Sequence, residues 1–179
     1  MNLATPPGGD RPLIVVGFDG SEGAERAITA ATTLMAGPEL LVVCVYRPVF
    51  AEADAALLGA SAELVRGGAQ ALAAQRRAEA EQTAERGAAL AAAGGCASRA
   101  LAVAATGTVW AAIDHLAEQQ QAAALVVGAR GLSGLSRLML GSVSTGLLHH
   151  ANRPVLVVPH PAHRPDRDGL AGAADGQAG

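Results

Sequence analysis

The sequence predicts an α/β fold, a single parallel sheet doubly wound by helices on both faces. Three observations predict it. Short apolar runs recur between segments whose apolar residues repeat at helical spacing. The runs are continuous, not alternating, as strands covered on both faces require. A glycine-rich loop joins one run to the helix that follows. Strands alternating with helices in this way must be parallel and joined by right-handed crossovers.

The elements follow in order. Residues 1–10 are rich in Pro and Gly and are expected to be disordered; the folded domain is expected over 11–159. Leu13 to Phe18 is the first strand. Ser21 is placed to cap the next helix, with Glu22 and Glu25 in its first turn, where carboxylates favour the dipole. Ala27, Ile28, Ala31, Leu34 and Met35 are its expected buried face, and Gly37-Pro38 stops it. Leu40 to Val45 is the second strand. After a loop over Arg47 to Ala60, an Ala/Glu/Arg/Gln-rich helix runs from about Ser61 to Ala93, with a break expected at Gly67-Gly68 and a stop at Gly94-Gly95. Arg77 and Glu81 stand four apart, the spacing of a solvated face. Ala100 to Ala105 is the third strand. The helix after it turns Val109, Ile113, Leu116 and Ala117 inward. Ala123 to Val127 and Val155 to Val158 are the fourth and fifth strands. Between these two, Gly141-Ser142 opens a short helix with Val143, Leu147, Leu148 and Ala151 on one stripe. Residues 160–179 show no apolar period and read as a flexible tail.

Composition excludes several classes of function. The chain contains no lysine; all 13 basic residues are arginine. A Walker A loop needs a lysine at the phosphates, so this is no P-loop NTPase, and Schiff-base chemistry is excluded too. Formal net charge is −3, without a basic stripe for a nucleic-acid backbone. No apolar run approaches the ~20 residues that span a bilayer, and the N-terminus lacks a secretory pattern. A cytoplasmic location is expected. Cys44 and Cys96 are read as structural thiols, the five histidines form no ligand set, and Trp110 is read as packing.

The chemistry concentrates between Leu125 and Pro159. There Gly128, two residues, Gly131, nine residues and Gly141-Ser142 form G-x2-G-x9-G-S between a strand and a helix. Backbone amides at a helix N-terminus, with glycines that permit close approach and positive φ, suit a phosphate. The plain alternative is turn punctuation. Arg130 and Arg137 either neutralise phosphate charge or keep the loop soluble. Asp19, directly after the first strand, either builds the turn or serves a ligand.

This spacing, followed by a helix and the strand PVLVVP, resembles the ATP-binding subgroup of the universal stress protein family. LIVVGFDGSEGAERAI (Leu13 to Ile28) and ELLVVCVY (Glu39 to Tyr46) resemble that family's opening strands and first helix. The resemblance covers roughly Arg11 to Pro159. It implies strand order 3-2-1-4-5, which sets the Gly128 loop opposite the Asp19 turn at the switch point where ligands bind. The implied cofactor-binding residues are Gly17, Asp19, Val45, Gly128, Arg130, Gly131, Gly134, Arg137, Gly141, Ser142, Val143 and Ser144. Val45 would read adenine through its backbone, and Asp19 would meet the ribose–phosphate region or a Mg²⁺ or Mn²⁺ ion.

The function so implied is ATP binding by a stress-response regulatory module with no catalytic residue. The alternatives are a slow ATPase using the same pocket and a dimeric scaffold with a vestigial site. A homodimer through residues 154–158 is expected, because that strand is apolar throughout and is a sheet edge in the family order. No nucleic acid or membrane partner is expected, and the sequence names no downstream protein.

Overall fold

The computed structural model describes residues 11–35, 37–48, 62–131 and 140–159. Strands β1 (Leu13–Gly17), β2 (Glu39–Tyr46), β3 (Ala97–Ala104), β4 (Ala124–Gly128) and β5 (Val155–Val158) alternate with helices α1 (Glu22–Leu34), α2 (Ala62–Ala93), α3 (Val109–Gln119) and α4 (Ser142–His150). The sheet has order β3-β2-β1-β4-β5 and is parallel throughout, as expected from the sequence. β1 is central, with Ile14 opposite both Leu40 and Ala124.

Alternate residues of the central strands feed two separate cores. Ile14, Val16, Leu40, Val42 and Val126 meet Ala24, Ala27, Ile28 and Ala31 of α1 on one face. Val15, Leu41, Val43, Leu125 and Val127 meet Ile113, Leu116 and Ala117 of α3 and Leu147 of α4 on the other. Helices so poor in large side chains must lie close to the sheet. Gly87 of α2 shows how close: a Cβ there would sit 2.7 Å from Val42 Cγ1 and 2.8 Å from Phe18 Cδ1. α2 buries Ala80, Ala84 and Ala91 along the same stripe.

Several local expectations are corrected. β3 begins at Ala97, three residues before the expected start, because the Gly94-Gly95 stop leads almost directly into pairing with Glu39. β4 is displaced by one residue and takes in Gly128. α2 runs unbroken through Gly67-Gly68, where an added Cβ would meet nothing within 4 Å. Leu34 is 72% exposed, since α1 ends there and the chain turns away; Met35 takes its place against the core. Leu148 is 50% exposed and leaves the stripe, while Val143, Leu147 and the C-cap residue Ala151 all pack on the second core. The expectations for 1–10 and 160–179, and most of the loop before α2, fall outside the described residues. No helix among the described residues is long and apolar enough to cross a membrane.

Arg153 ties the second core together. Its Nη1 donates to the carbonyls of Ala117 (3.1 Å) and Ala122 (2.9 Å) at the end of α3, and its Nε lies 3.7 Å from Asp114 Oδ1.

Candidate functional site

The carboxyl ends of β1 and β4 diverge into a cleft of about 280 Å³. Its floor is branched and apolar: Val43 and Val45 from β2, Val109 and Ile113 from α3, Val127 from β4 and Val143 from α4. Its rim is backbone and small side chains: Gly128, Arg130 and Gly131 after β4, and Gly141, Ser142 and Ser144 at the start of α4. Gly17 and Asp19 close it from β1. All the candidate residues read from the sequence line this cleft except Gly134 and Arg137, which lie outside the described residues.

The two turns that meet at the rim are held by glycine-on-glycine contact. A Cβ on Gly128 would lie 2.7 Å from the carbonyl carbon of Gly23, and one on Gly23 would lie 2.7 Å from the Arg130 carbonyl oxygen. A Cβ on Gly131 would overlap Asp19 Oδ2. These glycines therefore serve close approach, and the expectation of positive φ is corrected for Gly128, Gly131 and Gly141. Gly141 has φ −70°, and Gly128 and Gly131 are not among the positive-φ glycines; the turn that does need one is at Gly20, φ +81°. An added Cβ at Gly141 would face Ala129 O at 3.4 Å, an ordinary contact.

Of the helix N-termini at the cleft, those of α1 and α4 differ. α1 is capped by Ser21, whose Oγ accepts from the Ala24 amide at 3.2 Å, while Asp19 Oδ1 accepts from the Ser21 amide at 3.0 Å. This accounts for the acidic, polar start of α1. α4 begins at Gly141, which has no side chain to accept from the first-turn amides. Ser144, an expected ligand residue, lines the cleft. It is 1% exposed, and its Oγ donates toward the carbonyls of Ala129 and Gly141, each at 3.0 Å, so it fastens α4 to the β4 loop. The Gly141 amide completes that fastening by donating to Ala129 O at 2.8 Å.

On the α2 side of the rim, burial first and the Asp19 charge second push the Cys44 thiol above its ordinary range; Arg86 acts in the opposite sense. Among the described residues no group of three or more His, Cys, Asp or Glu side chains could hold a metal ion. Asp19 alone does not make a resident cation site. A single carboxylate does fit an ion brought in on phosphates, since Mg²⁺ commonly takes one or two carboxylates and keeps its phosphate and water ligands.

The sequence reading missed Phe18, Ala24, Val43, Val109, Ile113 and Val127 in the cleft lining, and Gly23 as the residue packed against its rim. The apolar residues carried only the periodicity of core positions, which cannot tell a cleft floor from a core. Gly23 had a legible signal, a glycine inside the first turn of a helix, where only close approach justifies it.

Comparison with known proteins agrees with this architecture. The universal stress protein family model matches residues 12–159. A universal stress protein of Mycolicibacterium smegmatis is 59% identical over 34 residues, 19% of this chain and 12% of that protein. Universal stress protein Slr1101 of Synechocystis is 49% identical over 49 residues, 27% of this chain and 45% of that protein. The matched stretches thus span less than half of these curated relatives. Among solved structures, the protein MJ0577 superposes with a TM-score of 0.65 at 22% identity, over 83% of this chain and 96% of its own. A universal stress protein in complex with cAMP gives 0.55 at 24% identity, over 84% and 98%. The Archaeoglobus fulgidus universal stress protein in complex with dAMP gives 0.54 at 19%, over 83% and 98%. These structural likenesses are of fold, and the family model covers nearly all of the described sheet and helices: the chain belongs to the universal stress protein family.

Proposed function

We propose that the cleft binds an adenine nucleotide, ATP carried with Mg²⁺ or Mn²⁺, and that the protein works as a nucleotide-dependent regulatory module of the stress response in the cytoplasm. One observation carries the reading. The N-terminus of α4, begun by a residue without a side chain, opens on the cleft beside the Gly128 loop, while the neighbouring N-terminus of α1 is filled by its own Ser21. An anion is the natural partner of such amides. The structures of family members with cAMP and dAMP support an adenine ligand.

The apolar floor suits a base, with the β2 backbone at Val45 reading its edge, and the glycine rim suits phosphates. Asp19 would meet the ribose or the ion that arrives with the phosphates; that ion supplies charge neutralisation. We assign binding and not turnover. Asp19, the acidic side chain lining the cleft among the described residues, already accepts from Ser21 and is poorly placed as a base. Calorimetry with ATP·Mg²⁺ tests the reading, with saturation raising Tm by mass action and GTP binding more weakly. Asp19→Ala should weaken ATP. A wild-type protein with neither heat nor thermal shift at ~1 mM ATP, where even weak millimolar sites register, overturns it.

A homodimer through residues 154–158 belongs to the same proposal. β5 is an edge strand, and Pro154 and Pro159 limit how far another strand can pair along it. Leu156 and Val158 pack on the first core, and Val155 and Val157 on the second, so charged substitutions there would damage folding. Sedimentation of the wild type is the cleaner test, and a monomer at micromolar concentration refutes the dimer.

A further inference from the structure

Trp110 does not line the cleft, yet the helix that presents its amides to the cleft rests on it. Gly146, midway along α4, lies directly against the indole, so that a Cβ there would overlap Cδ1, Cγ and Nε1 of the ring. One turn later His150 stacks on the same indole, with centroids 4.5 Å apart and 17° between planes. Positions four apart share a helix face, so a single ring underlies a full turn of a helix only nine residues long. Val109 and Ile113, on the same helix as Trp110, reach into the cleft. α3 therefore gives the cleft its wall and gives α4 its seat.

We propose that Trp110 is a positioning residue that sets where the N-terminus of α4 lies, and through it the strength of phosphate recognition. The inference rests on the adenine-nucleotide reading and deepens it. A short helix carried on one flat ring moves as a unit when the ring is shortened or the seat is filled. Hydrogen bonds from its first-turn amides lose strength steeply with distance and angle. The β2 backbone at Val45, which reads the edge of the base, is not carried by this contact. A disturbed seat should therefore weaken ligands through their phosphates alone.

The test uses the full chain with ATP·Mg²⁺ and adenosine as probes, and the variants Gly146→Ala, Trp110→Leu and Trp110→Phe. Gly146→Ala and Trp110→Leu should weaken ATP about fivefold or more, the scale of an anion's interaction with a helix N-terminus, with adenosine affinity unchanged. Trp110→Phe keeps a flat ring and should recover most of the ATP affinity. In the wild type, ATP but not adenosine should shift the emission of this sole tryptophan. An unchanged ratio of ATP to adenosine affinity in the variants overturns the proposal, whether both affinities hold or both fall together. Where Gly146→Ala does not fold, the two Trp110 variants decide. A wild type that binds neither probe overturns the nucleotide reading itself, and this inference with it.

Discussion

Replacing Gly128 by alanine tests whether the two turns at the rim are held by backbone contact. The new Cβ would lie 2.7 Å from the Gly23 carbonyl carbon and 2.8 Å from its oxygen, and 3.1 Å from the Arg130 oxygen. All three atoms are backbone, so relief requires the first turn of α1 and the β4 loop to part. Overpacking of this kind costs about 1–3 kcal/mol. The reduced freedom of the unfolded chain returns about 0.4–1 kcal/mol. The balance is a loss of about 0.5–2 kcal/mol, which lowers Tm by about 1–8 °C in a chain of this size. Gly141→Ala is the control. Its φ of −70° is open to any residue and its new Cβ would meet Ala129 O at 3.4 Å. Alanine is a poorer N-cap than glycine, but the unfolded-state gain offsets this, and Tm should stay within about 2 °C. Thermal unfolding followed by circular dichroism, without nucleotide, reads both. A Gly128→Ala protein that melts with the wild type would show that the turns do not touch as described.

Two further outcomes are expected. Because the folded state holds the Cys44 proton more tightly than the unfolded chain does, that thiol's contribution to stability is complete below the ordinary thiol range and is lost as pH rises through the elevated value. Asp19→Asn removes the charge that adds to burial in raising it, so in a Cys96→Ser background Cys44 should be alkylated faster at a given alkaline pH; equal rates would show that the two groups do not sense each other. Gly67→Ala and Gly68→Ala add side chains where nothing lies within 4 Å. Each removes a helix penalty of about 1 kcal/mol, so the variants should melt later with little change in far-ultraviolet circular dichroism, since both positions are already helical; a melt that is not raised would refute a continuous α2.

The sheet order and the place of the cleft were legible because two independent signals met there. Continuous apolar runs such as Leu13 to Phe18 belong to a covered parallel sheet, and the Gly128–Gly131–Gly141 spacing resembles one family's loop. Element edges were less legible. Ala97 to Arg99 carry small or polar side chains that show no strand pattern, and they pair because β2 offers them a partner as far as Glu39. Gly67-Gly68 read as a break because propensity ignores the length of helix on either side. Ser144 lines the cleft, and its bond to Ala129 was not legible, since a hydroxyl's spacing in sequence does not reveal which carbonyl it will meet.

The central position of β1 bears on how the chain assembles. One of its edges is satisfied early by β2, close in sequence, while the other waits for β4, with Ile14 opposite Ala124. During synthesis the β1–β2–β3 half, with α1 and α2, is complete before β4 emerges, and until then β1 presents an open apolar edge. Such long-range closure is slow in folding. The slow step should be the docking of the C-terminal half, which also creates the cleft, so nascent chains halted before residue 124 would be the ones most prone to associate wrongly.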